Sequence, residues 1–170
     1  MRKFALALAV LVVSSLPIEH SRSSALAIDS GAPKCDAALW QHVYHGAKFA
    51  TARDRLKPLS ACKTVTGTLH FVEYEGDGDA HLRLAVDPQF TSLLDAKNAD
   101  EDNMLVVEDM CDKTPTQEDT IKEGVCKGWH QGLYNESMNN KRVTVTGAYV
   151  EDEEHGWREI HPVTSISVLP

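Results

Sequence analysis

Thr64-Val65-Thr66-Gly67-Thr68-Leu69-His70-Phe71-Val72-Glu73-Tyr74 is the stretch that decides the fold. Val65, Leu69 and Phe71 share one face and Thr66, Thr68 and His70 the other, the period of two that marks a strand buried on one side. Gly67 stands among the apolar positions, where a residue without a side chain permits the sharp bend of a barrel corner. The same four letters return at Thr144-Val145-Thr146-Gly147, with glycine again on the valine-lined face.

Working outward, Glu75-Gly76-Asp77-Gly78-Asp79 reads as a turn into a second strand, with Leu82, Leu84 and Val86 inward and His81 and Arg83 outward. Asp87-Pro88 ends that strand. Residues 89–103 form a long connection with a helical turn at Thr91 to Ala96, and Met104 to Val107 is the third strand. A Thr116-x-x-Asp119 cap predicts a helix with Ile121 and Val125 on one side. Residues 128–140 are polar and loop-like and contain a glycosylation sequon, Asn135-Glu136-Ser137. Arg142 to Val150 is the fourth strand and Glu151 to Gly156 an acidic turn. Trp157 to Val168 is the fifth strand, with a break at Pro162 that suits an edge or a bulge. Upstream, Leu39, Trp40, Val43 and Tyr44 form a helical stripe capped by Asp36.

The order, a helix and then β-β-β-α-β-β, predicts a mainly β chain with a five-stranded OB-like Greek-key barrel over residues 61–170. A sandwich or an unclosed α+β sheet would use the same elements. With 170 residues and 42% hydrophobic content, one core is all the chain can bury.

Met1-Arg2-Lys3 and the uncharged run from Phe4 to Ile18 have the form of a secretory signal, and Ala25-Leu26-Ala27 supplies a cleavage pattern. The expected layout is therefore a signal peptide over 1–27, a leader and helix over 28–60, and the barrel. Secreted or periplasmic location follows, with no membrane attachment after cleavage. In an oxidising compartment the four cysteines read as two disulfides. Three pairings are open, and Cys35–Cys62 with Cys111–Cys126 is favoured. Structural zinc is disfavoured by their spacing.

The net charge of −8 argues against nucleic acid, whose binding depends on Lys and Arg neutralising phosphate. The acid is concentrated in the first and fourth inter-strand loops, where an OB barrel meets its ligand. Asp79 and His81 lie two apart in one strand, as do Glu159 and His161 in another, so each pair shares a face. Asp77, Asp79, His81, Glu159 and His161 are therefore the candidate ligand or metal residues on the barrel rim. Imidazole mixed with carboxylate suits zinc, manganese or iron better than calcium. An EF-hand is excluded, because no acid stands twelfth from Glu75 or Asp77. The structural alternative is a hydrogen-bonded network that fixes the rim.

From Cys62 onward the chain resembles a family of exported prokaryotic OB-fold-like domains. The resemblance rests on Val65-Thr66-Gly67, the Asp-Gly-Asp-x-His turn from Asp77 to His81, and Glu159-x-His161-Pro162-Val163. It implies the fold and no particular activity, catalytic residue or cofactor.

No serine-hydrolase elbow, zinc-protease motif or phosphate loop is present. The first functional expectation is a monomeric, disulfide-stabilised binding domain, not an enzyme, for a small molecule or a protein. The alternatives are a metal-dependent hydrolase built on Asp79, His81, Glu159 and His161, with zinc or manganese as cofactor, and an oligonucleotide or oligosaccharide binder.

Overall fold

The computed structural model describes residues 35–170; the expected signal peptide and most of the leader lie outside them. The chain is mainly β, with strands β1 (Leu56–Tyr74), β2 (Ala80–Val86), β3 (Leu105–Asp109), β4 (Arg142–Asp152) and β5 (Arg158–Val168). They pair in the order β1-β2-β3-β5-β4, and β1 also pairs with β4, so the sheet closes into a barrel. All pairs are antiparallel except β3 with β5.

Closure depends on the length of β1, which starts upstream of the boundary placed at residue 61. Its first part pairs with β4 and its second part with β2, and Gly67 and Thr68 have partners on both sides. Gly67 is thus the corner. A Cβ there would lie 2.9 Å from the Ala85 carbonyl carbon and from Val86 Cα, so only glycine lets β2 approach. Gly147 does the same for β5, where a Cβ would meet Val163 Cα at 2.8 Å. Beside it, Gly147 pairs with Val163 and Tyr149 with Ile160, so His161 and Pro162 together face Ala148 in a bulge. The His161–Pro162 peptide is cis.

Alternation sorts the apolar residues. Val65, Leu69, Leu82, Leu84, Leu105 and Ile160 are fully buried in the barrel interior. A second, smaller cluster holds Val43, Leu56, Met110, Ala148 and Val150, with Leu39 and Trp40 of the N-terminal segment packed against it. Disulfides Cys35–Cys62 and Cys111–Cys126 pin that segment and the loop after β3, in the pairing favoured from sequence. Two such bonds belong to an oxidising compartment. Among the described residues no helix is long and apolar enough to cross a membrane.

The helices differ from expectation. Asp36 does cap the N-terminal stripe, accepting from Ala38 N at 2.8 Å, but the element is a 3₁₀ helix, Ala37–His42. Only α1 (Ala52–Arg55) follows it before β1. Helix α2 (Glu118–Glu123) is capped at Gln117 without a side-chain bond. Thr116 is no cap; its amide and that of Gln117 both donate to Gly76 O at 2.8 Å, tying this loop to the β1–β2 turn. Ile121 is 58% exposed, so the expected apolar stripe does not form. The connection after β2 holds two 3₁₀ helices, Pro88–Leu93 and Ala96–Glu101. Asn98 anchors the second, donating from Nδ2 to Met104 O and Arg158 O at 2.9 Å.

Candidate functional site

The same alternation that sends Leu82, Leu84, Leu105 and Val107 inward sends their neighbours outward. His81 on β2 stands directly opposite Glu108 on β3. The parallel register of β3 and β5 pairs Val106 with Glu159 and Val107 with Ile160, and Glu108 and His161 are the next residue on each strand. His81, Glu108 and His161 thus form a row across the outer face of three strands. β2 and β5 are not neighbours; β3 lies between them, and Glu108 fills the gap.

An outer face normally meets water, but this one is covered. Exposure is 5% for Asp77, 3% for Asp79, 5% for His81 and 1% each for Glu159 and His161. All five candidates are therefore buried, His81, Glu159 and His161 on strands β2 and β5 and Asp77 and Asp79 in the turn before β2. Two hydrogen-bonded groups result. In the first, His81 Nε2 donates to Glu101 Oε2 at 3.1 Å, and Arg83 Nε holds the same oxygen at 2.7 Å. On the other side of the ring, His81 Nδ1 lies 2.8 Å from Glu108 Oε1 and 3.2 Å from Glu75 Oε1. In the second, His161 Nδ1 donates to Glu159 Oε1 at 3.1 Å and Trp157 Nε1 donates to Glu159 Oε2 at 2.9 Å. His161 Nε2 faces Asp79 Oδ2 at 3.8 Å.

The remaining two candidates have local duties as well. Asp77 Oδ1 accepts from Asp79 N at 3.1 Å and shapes the turn. Asp79 Oδ1 accepts from Cys111 N at 2.7 Å and joins that turn to the disulfide loop.

Electrostatics follow from burial and from like charges. Burial alone would lower the His81 pKa, but the Glu108 and Glu75 carboxylates outweigh it and push it up to about 11. Burial pushes Asp79 well above the usual carboxylate range, and Asp77 and Glu108 add to the rise. Burial does the same to Glu108, against the pull of His81. Asp77 is raised by burial and then by Glu75. Glu75 is lowered, because His81 outweighs its partial burial.

Above the row, Tyr44, Arg55, Glu75, Asp77, Glu154 and His155 line a cleft of about 450 Å³. Its two cations are already engaged: Arg55 Nη2 donates to Asp152 Oδ2 at 3.0 Å, and His155 Nδ1 to the same oxygen at 3.1 Å. A larger, more apolar cavity of about 730 Å³ lies over the Cys111–Cys126 disulfide, and none of the acid–histidine residues lines it. Among the described residues two side-chain groups have metal-ligand spacing. Glu75 with His81 and Glu108 is one; Asp79 with Cys111 and Cys126 is the other, and its two sulfurs are bonded to each other.

Glu75, Glu101, Glu108, Arg55 and Trp157 adjoin the candidates here and were absent from the set proposed from sequence. Glu108 had a usable signal: two residues beyond Val106, it continues the outward face of a strand that was ended at Val107. Glu101 had none, since only the 3₁₀ helix of the β2–β3 connection brings it to His81.

The fold and site together define a class, a mainly β, disulfide-bonded domain with a buried acid–histidine face. No protein-family model, no curated protein and no solved structure matches the chain.

Proposed function

We propose that this chain is an exported OB-type binding domain that holds a cationic group on the outer face of β2 and β3, between the β1–β2 and β4–β5 loops. The strand order and a cleft between the β1–β2 and β4–β5 turns support it, because OB barrels use those loops for ligands. The leader motif and the two disulfides support export, to the cell exterior or the periplasm. The ligand is a small molecule or a side chain of a protein partner, bound by a monomer. The motif resemblance to exported OB-like domains agrees with this reading.

The carrying observation is the unbalanced acid beneath and around the cleft. Arg55 and His155 are committed to Asp152, which leaves Glu75, Asp77, Asp79 and Glu108 in excess of their partners. Such a surface concentrates cations and repels phosphates. A metal-dependent hydrolase would draw on the same residues but needs in addition an open coordination position and a base that reaches water. Binding needs neither.

The test is amide and indole NMR with three probes: spermidine, a single-stranded oligonucleotide and a maltooligosaccharide. Trp157 is a reporter, since its ring stacks on His155 at 4.4 Å and meets the edge of His81 at 6.2 Å. Spermidine should move the Trp157 indole and the Gly76 amide, with an effect that weakens as salt rises. Movement by the oligonucleotide in its place, or by none of the probes at millimolar concentration, would overturn the reading.

A further inference from the structure

We infer that this face carries a divalent-metal site with Glu75, His81 and Glu108 as ligands and His161 as the neighbouring donor. The inference deepens the cation-binding reading and rests on it.

Spacing is the first argument. Ligand atoms about 2.0–2.2 Å from one metal ion lie about 3.0 Å apart at right angles and about 3.4 Å apart in a tetrahedron. His81 Nδ1 already stands 2.8 Å from Glu108 Oε1 and 3.2 Å from Glu75 Oε1, and all three atoms lie within 4.8 Å of one another. Both His81 separations match those expected between ligands of one cation.

Direction is the second. His81 Nδ1 is buried and has no hydrogen-bond partner of good geometry despite those short contacts. Glu108 Oε2 and His161 Nε2 are buried and partnerless as well. Each such atom costs roughly 1–3 kcal/mol unless something binds it. Three of them on one row of the sheet are hard to explain as structure alone.

The third argument is the outer shell. A metal-bound imidazole usually gives its other N–H to a carboxylate, which fixes the ring and leaves the first nitrogen free. That arrangement occurs twice here. His81 is held through Nε2 by Glu101, itself anchored by Arg83; His161 is held through Nδ1 by Glu159, itself anchored by Trp157. In both rings the nitrogen left over is a buried one without a partner. The mixed imidazole and carboxylate set fits zinc or manganese. Glu159, expected from sequence as a ligand, becomes a positioning residue, and Glu108 takes its place.

The experiment uses the exported chain stripped with chelator, titrated calorimetrically with zinc and with manganese and melted with and without each. One of the two should bind stoichiometrically and raise Tm. Glu108→Gln should lower affinity by about a hundredfold or more, and Glu101→Gln by about tenfold through His81. Glu75→Gln is the safeguard against misfolding, since its side chain is 38% exposed in a turn; it should lose about tenfold or more. Glu118→Gln on α2 should bind as the parent does. The inference is overturned if neither metal binds stoichiometrically, or if Glu75→Gln and Glu108→Gln bind metal with unchanged affinity. Spermidine binding without metal binding would leave the cation-binding reading standing and remove this one.

Discussion

Among the described residues, two clusters of buried charge stand close together in the fold and are treated differently. At the β4–β5 turn, Asp152 has a full set of donors: Oδ1 accepts from Glu154 N and His155 N at 2.6 and 3.2 Å, and Oδ2 from Arg55 and His155. Arg55 in turn donates to Tyr44 O at 2.8 Å. On the wall of β2, β3 and β5 the acids exceed the bases, and ring nitrogens and a carboxylate oxygen lack partners. In the turn cluster the carboxylate is fully paired and Arg55 Nε, 3.7 Å from Glu154 Oε2, is the atom left without a hydrogen bond; the wall, with more acid than base, has capacity left for something else.

The largest effect should fall on the balanced side. Asp152→Asn keeps an acceptor for the two amides but leaves Arg55 as a buried charge, with Glu154 Oε2 at 3.7 Å as its remaining acid. Breaking a buried pair costs about 3–5 kcal/mol, which urea unfolding at pH 7 would measure. Metal affinity should not change. If stability held while metal affinity fell, the two clusters would be one system and the contrast would fail.

The pH dependence of the same cluster sharpens this. Burial alone would raise the Asp152 pKa, but His155 and Arg55 hold it well below the carboxylate range. A depressed folded pKa contributes stability above the unfolded value, about pH 4, that is lost as pH falls through the folded one. Asp152 raises the His155 pKa, and that contribution is complete below about pH 6.5 and fades as pH rises past it. The parent should therefore lose stability on acidification from pH 5 to pH 2 more steeply than Asp152→Asn does. Parallel acid limbs would show that Asp152 is not the group responsible.

On the wall the sign should reverse. In chelator, Glu108→Gln removes a surplus buried acid while its amide oxygen still faces His81. Stability should be unchanged or rise by up to about 2 kcal/mol, measured by the same urea titration. A loss comparable with that of Asp152→Asn would mean that the wall is as saturated as the turn.

Much of the barrel was legible because alternation survives any tertiary context: Val65, Leu69, Leu82 and Leu84 face inward wherever the strands go. The two repeated glycines marked real corners for a local reason, since no Cβ fits at Gly67 or Gly147. The short helices were misread because their stripes promised regular turns, while Gly76 and the disulfides set the path of the loops. At the site, Asp79 with His81 and Glu159 with His161 were found as same-face pairs. Their burial was not, because it depends on residues distant in sequence, Glu101 and Trp157 at His81 and the Cys111 loop at Asp79, and no periodicity within a strand encodes its cover.

The smallest effect discriminates best. Trp157→Phe keeps a ring to stack on His155 and deletes the indole N–H that holds Glu159 Oε2 at 2.9 Å. One hydrogen bond to a charged acceptor is worth about 1.5–3 kcal/mol, and partial solvent access at Trp157 should bring the cost toward about 1. Glu159 is itself only 1% exposed, so without that donor it shifts and His161 loses its fixed orientation. If the wall is merely structural, the melt moves by that amount and metal titration is unaffected. If Glu159 positions an imidazole for a metal ion, affinity falls by about tenfold as well, and His161→Gln on the Trp157→Phe background adds less than it does alone. Full additivity of the two substitutions in metal affinity would break the link from Trp157 through Glu159 to His161.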